Sequence, residues 1–216
     1  MDIAAVDKAT HDLIGLGVRV FQVYRFADTE ALHIRRLLGW ADIPLDACVI
    51  DMGCGIGEVA KSFSLDRPDL DFTLVNISEF QLSYADPAHI CLAASFLNVP
   101  QPDETFDCVL FMFSIGHEPA APALAEAARL LKPGGVLFIS DMIRVSGDNL
   151  KMRALVDYEV HPRAAMEAAA FGFDLDWYME PTPDESFGEQ LLGDGFNSIF
   201  AGTIPAIWRF TKRRDS

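Results

Sequence analysis

Basic residues are in short supply in this chain. It carries 17 Lys and Arg against 32 Asp and Glu, a formal charge of −15. A potential of that sign repels polyanions, and the clustered Lys/Arg footprint of a nucleic-acid enzyme is missing. Nucleic acid and anionic membrane are therefore not expected as partners. Cysteine is scarce too. Cys48, Cys54, Cys91 and Cys108 show no metal-ligand spacing and no disulfide framework, so reduced, buried thiols and no metal ion are expected. Long apolar runs are lacking. The longest, around Phe106 to Ile115, is far too short to span a bilayer. Asp2, Asp7, Lys8 and Asp12 interrupt the start where a signal peptide needs an apolar stretch, so a cytoplasmic location is expected. No internal repeats or low-complexity tracts occur.

What the chain does hold is core material. Half of its 216 residues are hydrophobic and 16 are Phe, enough for one well-packed domain. The most informative stretch is Val49-Ile-Asp-Met-Gly-Cys-Gly-Ile-Gly57. An apolar run ends in Asp51, a turn carries Gly53, Gly55 and Gly57, and a helix-like segment begins at Glu58. A strand feeding a glycine-rich turn and a helix N-terminus is how open α/β sheets build a nucleotide site. A dinucleotide fingerprint would need its third glycine at position 58, where Glu58 stands. A carboxylate there repels a pyrophosphate. Asp51 beside the turn suits a cationic or polyol ligand without phosphate, such as the amino-acid and ribose ends of S-adenosylmethionine.

The stretch resembles the first motif of the class I S-adenosylmethionine-dependent methyltransferases, D-x-G-C-G-x-G. Two further segments carry the likeness: Thr105-Phe-Asp-Cys-Val-Leu resembles the family's fourth strand, and Ala128-Arg-Leu-Leu-Lys-Pro-Gly-Gly-Val-Leu its turn into the fifth. Together they cover about residues 46 to 145. The likeness implies a Rossmann-like, seven-stranded, mostly parallel sheet with helices on both faces, its final strand antiparallel. An N-terminal helical segment precedes it, giving residues 1–40 as a lid or cap, or as a segment simply packed on the sheet edge, and 41–216 as the cofactor-binding domain.

Periodicity agrees with strand–helix alternation. Residues 3–24 read as a helix weakened by Gly15 and Gly17, and Thr29–Leu38 as a second. Strands are expected at 48–52, 72–77, 90–93, 106–113, 135–140, 173–179 and 204–210. Helices are expected at 57–65, 79–84, 121–131 and 161–170, and Pro181–Gly202 reads as a connection.

By resemblance, Asp51, Gly53, Cys54 and Gly55 hold the methionine end of the cofactor. Asn76 takes the place of the usual ribose-binding acid, Ile77 flanks the adenine, and Gln81 follows in Asn76-Ile-Ser-x-x-Gln. Ser95 and Phe96 align beside the adenine, although Phe96 also suits plain core. Phe113, Ser114, His117 and Glu118 end the fourth strand where cofactor and acceptor meet. His117 titrates in the right range for a general base, and a structural His is the competing reading. Asn76-Ile-Ser-x-x-Gln and Ser114-Ile-Gly-His-x-Pro are similar to methyltransferases acting on sterols, terpenoids and prenyl chains. Those methylate an alkene carbon and lose a proton to a carboxylate or His. The acidic residue that sterol enzymes place ahead of the His is replaced here by Phe113 and Ser114. Tyr24, Met142, Arg144, Tyr158 and Trp177 are candidates for the substrate wall. A non-catalytic cofactor-binding protein, an O- or N-methyltransferase of a small metabolite and a nicotinamide oxidoreductase are the competing functions. The acceptor stays open, as does the oligomeric state, a homodimer included.

Overall fold

A computed structural model of the chain describes residues 3–148, 150–183, 185–186 and 194–214. Its elements in order are α1 (Ile3–Gly15), β1 (Tyr24–Arg25), α2 (Glu30–Ala41), β2 (Cys48–Met52), α3 (Glu58–Asp66), β3 (Asp71–Asn76), α4 (Glu79–Leu82), β4 (Ile90–Ala93) and β5 (Phe106–Met112). A 3-10 turn at Ile115–His117 leads into α5 (Ala120–Leu130) and β6 (Leu131–Arg144). Then come α6 (Leu150–Val156), α7 (Arg163–Ala169), β7 (Phe173–Met179), β8 (Glu185–Ser186), α8 (Asp194–Phe200) and β9 (Thr203–Lys212).

Seven strands form one sheet in the order β4-β3-β2-β5-β6-β9-β7. The first five run parallel, and β9 lies antiparallel between β6 and β7. The seven-stranded, mostly parallel sheet expected from the sequence is therefore present, with its last strand antiparallel. The chain enters at β2, winds outward to β4, then returns past β2 to β5. Connections from β2 and β5 consequently leave in opposite directions, which opens a crevice at their carboxyl ends.

Strand side chains alternate between two cores, as the two-residue period demands. Ile50, Met52, Val109, Phe111, Leu137 and Ile139 pack with α5 and α7 on one face. Val49, Cys108, Leu110, Val136 and Phe138 pack with α2 and α3 on the other. Burial on both faces explains why these strands read as continuous apolar runs.

The structure corrects several expectations. The first helix stops at Gly15 because Gly17 adopts φ +82, and the chain then runs extended to Tyr24. Apolar positions at 20, 23 and 24 mimic helical spacing, yet Val18, Val20 and Gln22 are buried alternately, the mark of extended chain. Tyr24 sits in a two-residue ladder with Ser186. Helix α6 was not foreseen. The connection 181–202 contains α8, while residues 184 and 187–193 lie outside the described part. Of the four cysteines only Cys108 is buried; Cys91 is exposed on the edge strand β4. Among the described residues no helix is long and apolar enough to cross a membrane.

Candidate active site

The crevice at the switch point widens into a cavity of about 660 Å³. Of the residues singled out in the sequence, Asp51, Gly53, Cys54, Gly55, Asn76, Ile77, Gln81, Ser95, Phe96, Phe113, Ser114, His117, Glu118 and Tyr158 all line it. Four expected on the substrate wall stand elsewhere. Met142 is buried in a side cluster, Trp177 packs edge-on against Phe138, and the Tyr24 hydroxyl bonds to Thr203. Arg144 ends β6 with its Nη1 on the Gly147 carbonyl.

The glycine turn is held by close packing. At Gly53, φ is +81, and a Cβ there would stand 2.6 Å from the Cβ of Ser114. Ser114 in turn donates to the Met52 carbonyl at 2.5 Å, which ties the ends of β2 and β5 together. Gly57, at φ +74, leaves room for Leu74, which a Cβ would approach to 2.9 Å. Bare backbone at these two points is thus required by the positive φ and by the neighbouring side chains, and Gly53 and Gly55 also line the cavity.

Asp51 is 1% exposed, and neither carboxylate oxygen has a hydrogen-bond partner. Burial alone pushes its carboxyl up to about 7. A buried acid without a donor is costly unless a ligand supplies one. Cys54 beside it is a thiol raised by burial, bonded to the Gly55 carbonyl at 3.6 Å.

Asn76 donates to Gln81 Oε1 at 2.5 Å and to the Gly55 carbonyl at 3.3 Å, and its Oδ1 accepts from the Ile77 amide at 3.0 Å. Gln81 passes the chain on to Thr10 Oγ1 at 2.6 Å, while Ser78 bonds to Asp7 at 2.5 Å. Two side chains of α1 are thereby fastened to α4. Oδ1 of Asn76 keeps one lone pair for a ribose hydroxyl. Phe96 is 8% exposed and meets Phe111 edge-on at 5.6 Å, so it belongs to the core as well as to the cavity wall.

At the far end Phe113 adopts φ +64, a left-handed conformation unusual for a bulky residue and costing about 1–2 kcal/mol. Its ring stacks on Tyr158 at 5.5 Å, and His117 meets Tyr158 edge-on at 4.8 Å. The Tyr158 hydroxyl donates to both oxygens of Asp141 at 2.5 and 2.6 Å, and the Met142 and Ile115 amides donate to the same carboxylate. Burial raises Asp141 to about 6 against the pull of these bonds. Asp141 is not among the residues that the sequence analysis singles out. An acid inside the run Leu137–Ile143 was the available signal. His117 Nδ1 faces the Asp157 carbonyl at 3.3 Å. A carbonyl only accepts, so Nδ1 carries the proton and Nε2 a lone pair. Burial lowers the imidazole, favouring this neutral form. Among the described residues no group of three or more His, Cys, Asp or Glu stands together as a metal site would need.

Fold, glycine turn and unpartnered acid are together similar to those of the class I S-adenosylmethionine-dependent methyltransferases, and part of the chain matches a methyltransferase family directly. A family model described as "Methyltransferase domain" matches residues 50–139. The chain is 28% identical to 27-O-demethylrifamycin SV methyltransferase of Amycolatopsis mediterranei over 68% of its own length and 63% of that protein's. It is 27% identical to sterol 24-C-methyltransferase ERG6B of Gibberella zeae, covering 74% of itself and 44% of the relative. The chain thus spans less than two thirds of either. Among solved structures, geranyl diphosphate C-methyltransferase from Streptomyces coelicolor A3(2), in complex with Mg2+, geranyl diphosphate and S-adenosyl-L-homocysteine, superposes with TM-score 0.71. The match has 13% identity and covers 85% of this chain and 80% of that one. At that identity the likeness speaks for the fold.

The residues present fit the cofactor. Asp51 would offer an unpaired buried acceptor to its ammonium, and Gly53 and Gly55, which line the cavity, would offer backbone contact. Asn76 offers a lone pair to the ribose, and Ile77 and Phe96 offer apolar walls to the adenine.

Proposed function

We propose that the protein methylates a small, apolar acceptor of prenyl or terpenoid character, with α1 as a cap over the site. The observation that carries this reading is the continuity of one cavity from the Asp51 turn to the Phe113–Tyr158–His117 cluster, walled in between by Val6, Leu13, Met152 and Phe200. When bound, S-adenosylmethionine supplies a methyl group on a sulfonium with a good leaving group. The protein's part is to align the acceptor in line with it and to exclude water. The aromatic faces of Phe113 and Tyr158 favour positive charge near the reacting atoms. His117, neutral with a free Nε2, takes the proton the acceptor sheds. Glu118, on the same wall, is the carboxylate available beside it. The sterol methyltransferase relative and the short motifs around Asn76 and Ser114 support an apolar acceptor.

Radiolabelled methyl transfer into fractionated metabolite extracts tests the proposal. Label is expected in the apolar fraction, and label confined to polar metabolites would refute the acceptor class. With an acceptor in hand, His117→Ala should lower kcat by about 100-fold and leave S-adenosylhomocysteine affinity intact. Full turnover in that variant would remove His117 from the mechanism.

A further inference from the structure

The extended strip between α1 and β1 holds a second unsatisfied polar group, of opposite character to Asp51. His33 on α2 is fully buried, and the Phe26 amide donates to its Nδ1 at 3.2 Å. An amide N–H can only donate, so Nδ1 carries no proton. Burial, reinforced by the charges of Arg25 and Arg36, lowers the imidazole to about 4, so the ring is neutral. Its one proton therefore sits on Nε2, which donates to Gln22 Oε1 at 2.9 Å. That bond fixes the side-chain amide. Its oxygen faces His33, and its nitrogen turns away with both N–H groups unused. Gln22 is 4% exposed, Nε2 is buried without a partner, and the residue lines the same cavity as Asp51.

One cavity thus contains a buried acceptor lacking a donor and a buried donor lacking an acceptor. A zwitterion satisfies both. The strip also lies on the cofactor turn, since the Phe21 ring would be 3.8 Å from a Cβ on Gly55. Arg19, exposed on the same strip and lining the cavity, has no carboxylate partner among the described residues. Its charge adds to the attraction for an anion.

We propose that Gln22, its amide held donor-first by His33, binds the carboxylate of the cofactor's amino-acid end while Asp51 binds the ammonium. Gln22 is then a binding residue and His33 a positioning residue that acts through it. The inference rests on S-adenosylmethionine being the cofactor and adds the subsite that reads its amino-acid end.

Calorimetry with three ligands tests it. S-adenosylhomocysteine has both charged groups, its decarboxylated analogue keeps only the ammonium, and 5′-methylthioadenosine has neither. Gln22→Met should weaken S-adenosylhomocysteine at least 10-fold and change the other two less than 2-fold. Gln22→Glu, which sets a charge against the carboxylate, should weaken it further. His33→Ala should follow Gln22→Met in this selective pattern, whereas mere loosening of the fold would weaken all three ligands alike. Equal losses for all three, or undiminished S-adenosylhomocysteine binding in Gln22→Met, overturns the assignment. Should that variant not fold, the wild-type protein still decides: no preference for S-adenosylhomocysteine over its decarboxylated analogue overturns it. Failure of the wild type to bind any of the three is a different result, and it would refute the cofactor itself.

Discussion

Asp51 shows how a single residue's environment becomes a binding property. Its carboxyl is raised to about 7 because burial removes water and no donor replaces it. In the cofactor-free protein it holds its proton below that pH, so an arriving ammonium must displace it. Affinity for S-adenosylhomocysteine should therefore rise from pH 6 to pH 8, with proton release visible in calorimetry across buffers of different ionisation enthalpy. Asp51→Asn should erase the pH dependence and weaken binding by about 10- to 100-fold, the worth of a charge-assisted hydrogen bond. A flat pH profile in the wild type would contradict this. Gly116 makes a steric case. A Cβ there would stand 2.2 Å from the Tyr158 ring and 2.6 Å from the Glu159 carbonyl. Gly116→Ala should force Tyr158 off Asp141 and cost about 2–3 kcal/mol, seen as a lower Tm. The acid and glycines of the turn were legible in the sequence because their spacing is itself the signal. Gln22 and His33 were not, because their meaning lies in a contact between segments.

Among the elements, α1 departs most from its sequence reading and bears most directly on the site. Its tethers are Asp7 to Ser78 and Thr10 to Gln81, and the second continues through Gln81 to Asn76, the residue expected to meet the ribose. Thr10→Val combined with Asp7→Ala should free the helix, raising amide hydrogen exchange across residues 3–15 and weakening cofactor binding by about 10-fold, as one buried and one partly buried hydrogen bond are lost. Unchanged exchange in α1 would mean that apolar contacts alone hold it. Strands β2, β4 and β7 match their expected spans because each is bounded by turn residues. β6 runs longer than expected, Leu131–Arg144, because its pairing with β9 extends past the apolar stretch. The antiparallel direction of β9 came from family likeness, since a strand's own residues carry no mark of its neighbour's direction.

For the whole molecule, two buried acids, Asp51 in the cavity wall and Asp141 bonded to Tyr158, are tied to folding stability. A carboxyl whose folded value is raised contributes stability that is fully present below its unfolded value and is lost as pH rises through the folded one. Asp51 and Asp141, at about 7 and about 6, therefore oppose folding increasingly between pH 4 and 7. Asp66 and Asp107, lowered by hydrogen bonds from Arg35 and Lys132, act the other way and are lost in acid. The buried imidazole of His33 also favours folding less as pH falls from 6.5 toward 4. A comparison of one variant with the wild type isolates a single group. Measured by denaturant unfolding, the stability of the wild type relative to Asp51→Asn should fall by about 2–4 kcal/mol from pH 4 to pH 8. S-adenosylhomocysteine should restore it at the alkaline end. A constant difference across that range would show that Asp51 titrates normally.

Local order carries what the amino-acid string could state unaided: a two-faced strand must be apolar throughout, and a turn that touches a ligand must be bare. Those rules act over a few residues, so most strands and the glycine turn could be read directly, while the sheet's last strand and the cofactor class followed from likeness to a known family. The walls of the cavity, the tautomer of His33, the orientation of Gln22 and the misplacement of Tyr24, Met142, Arg144 and Trp177 obey no local rule. They follow from how segments distant along the chain pack together, because burial and hydrogen-bond partnership exist only once those segments meet.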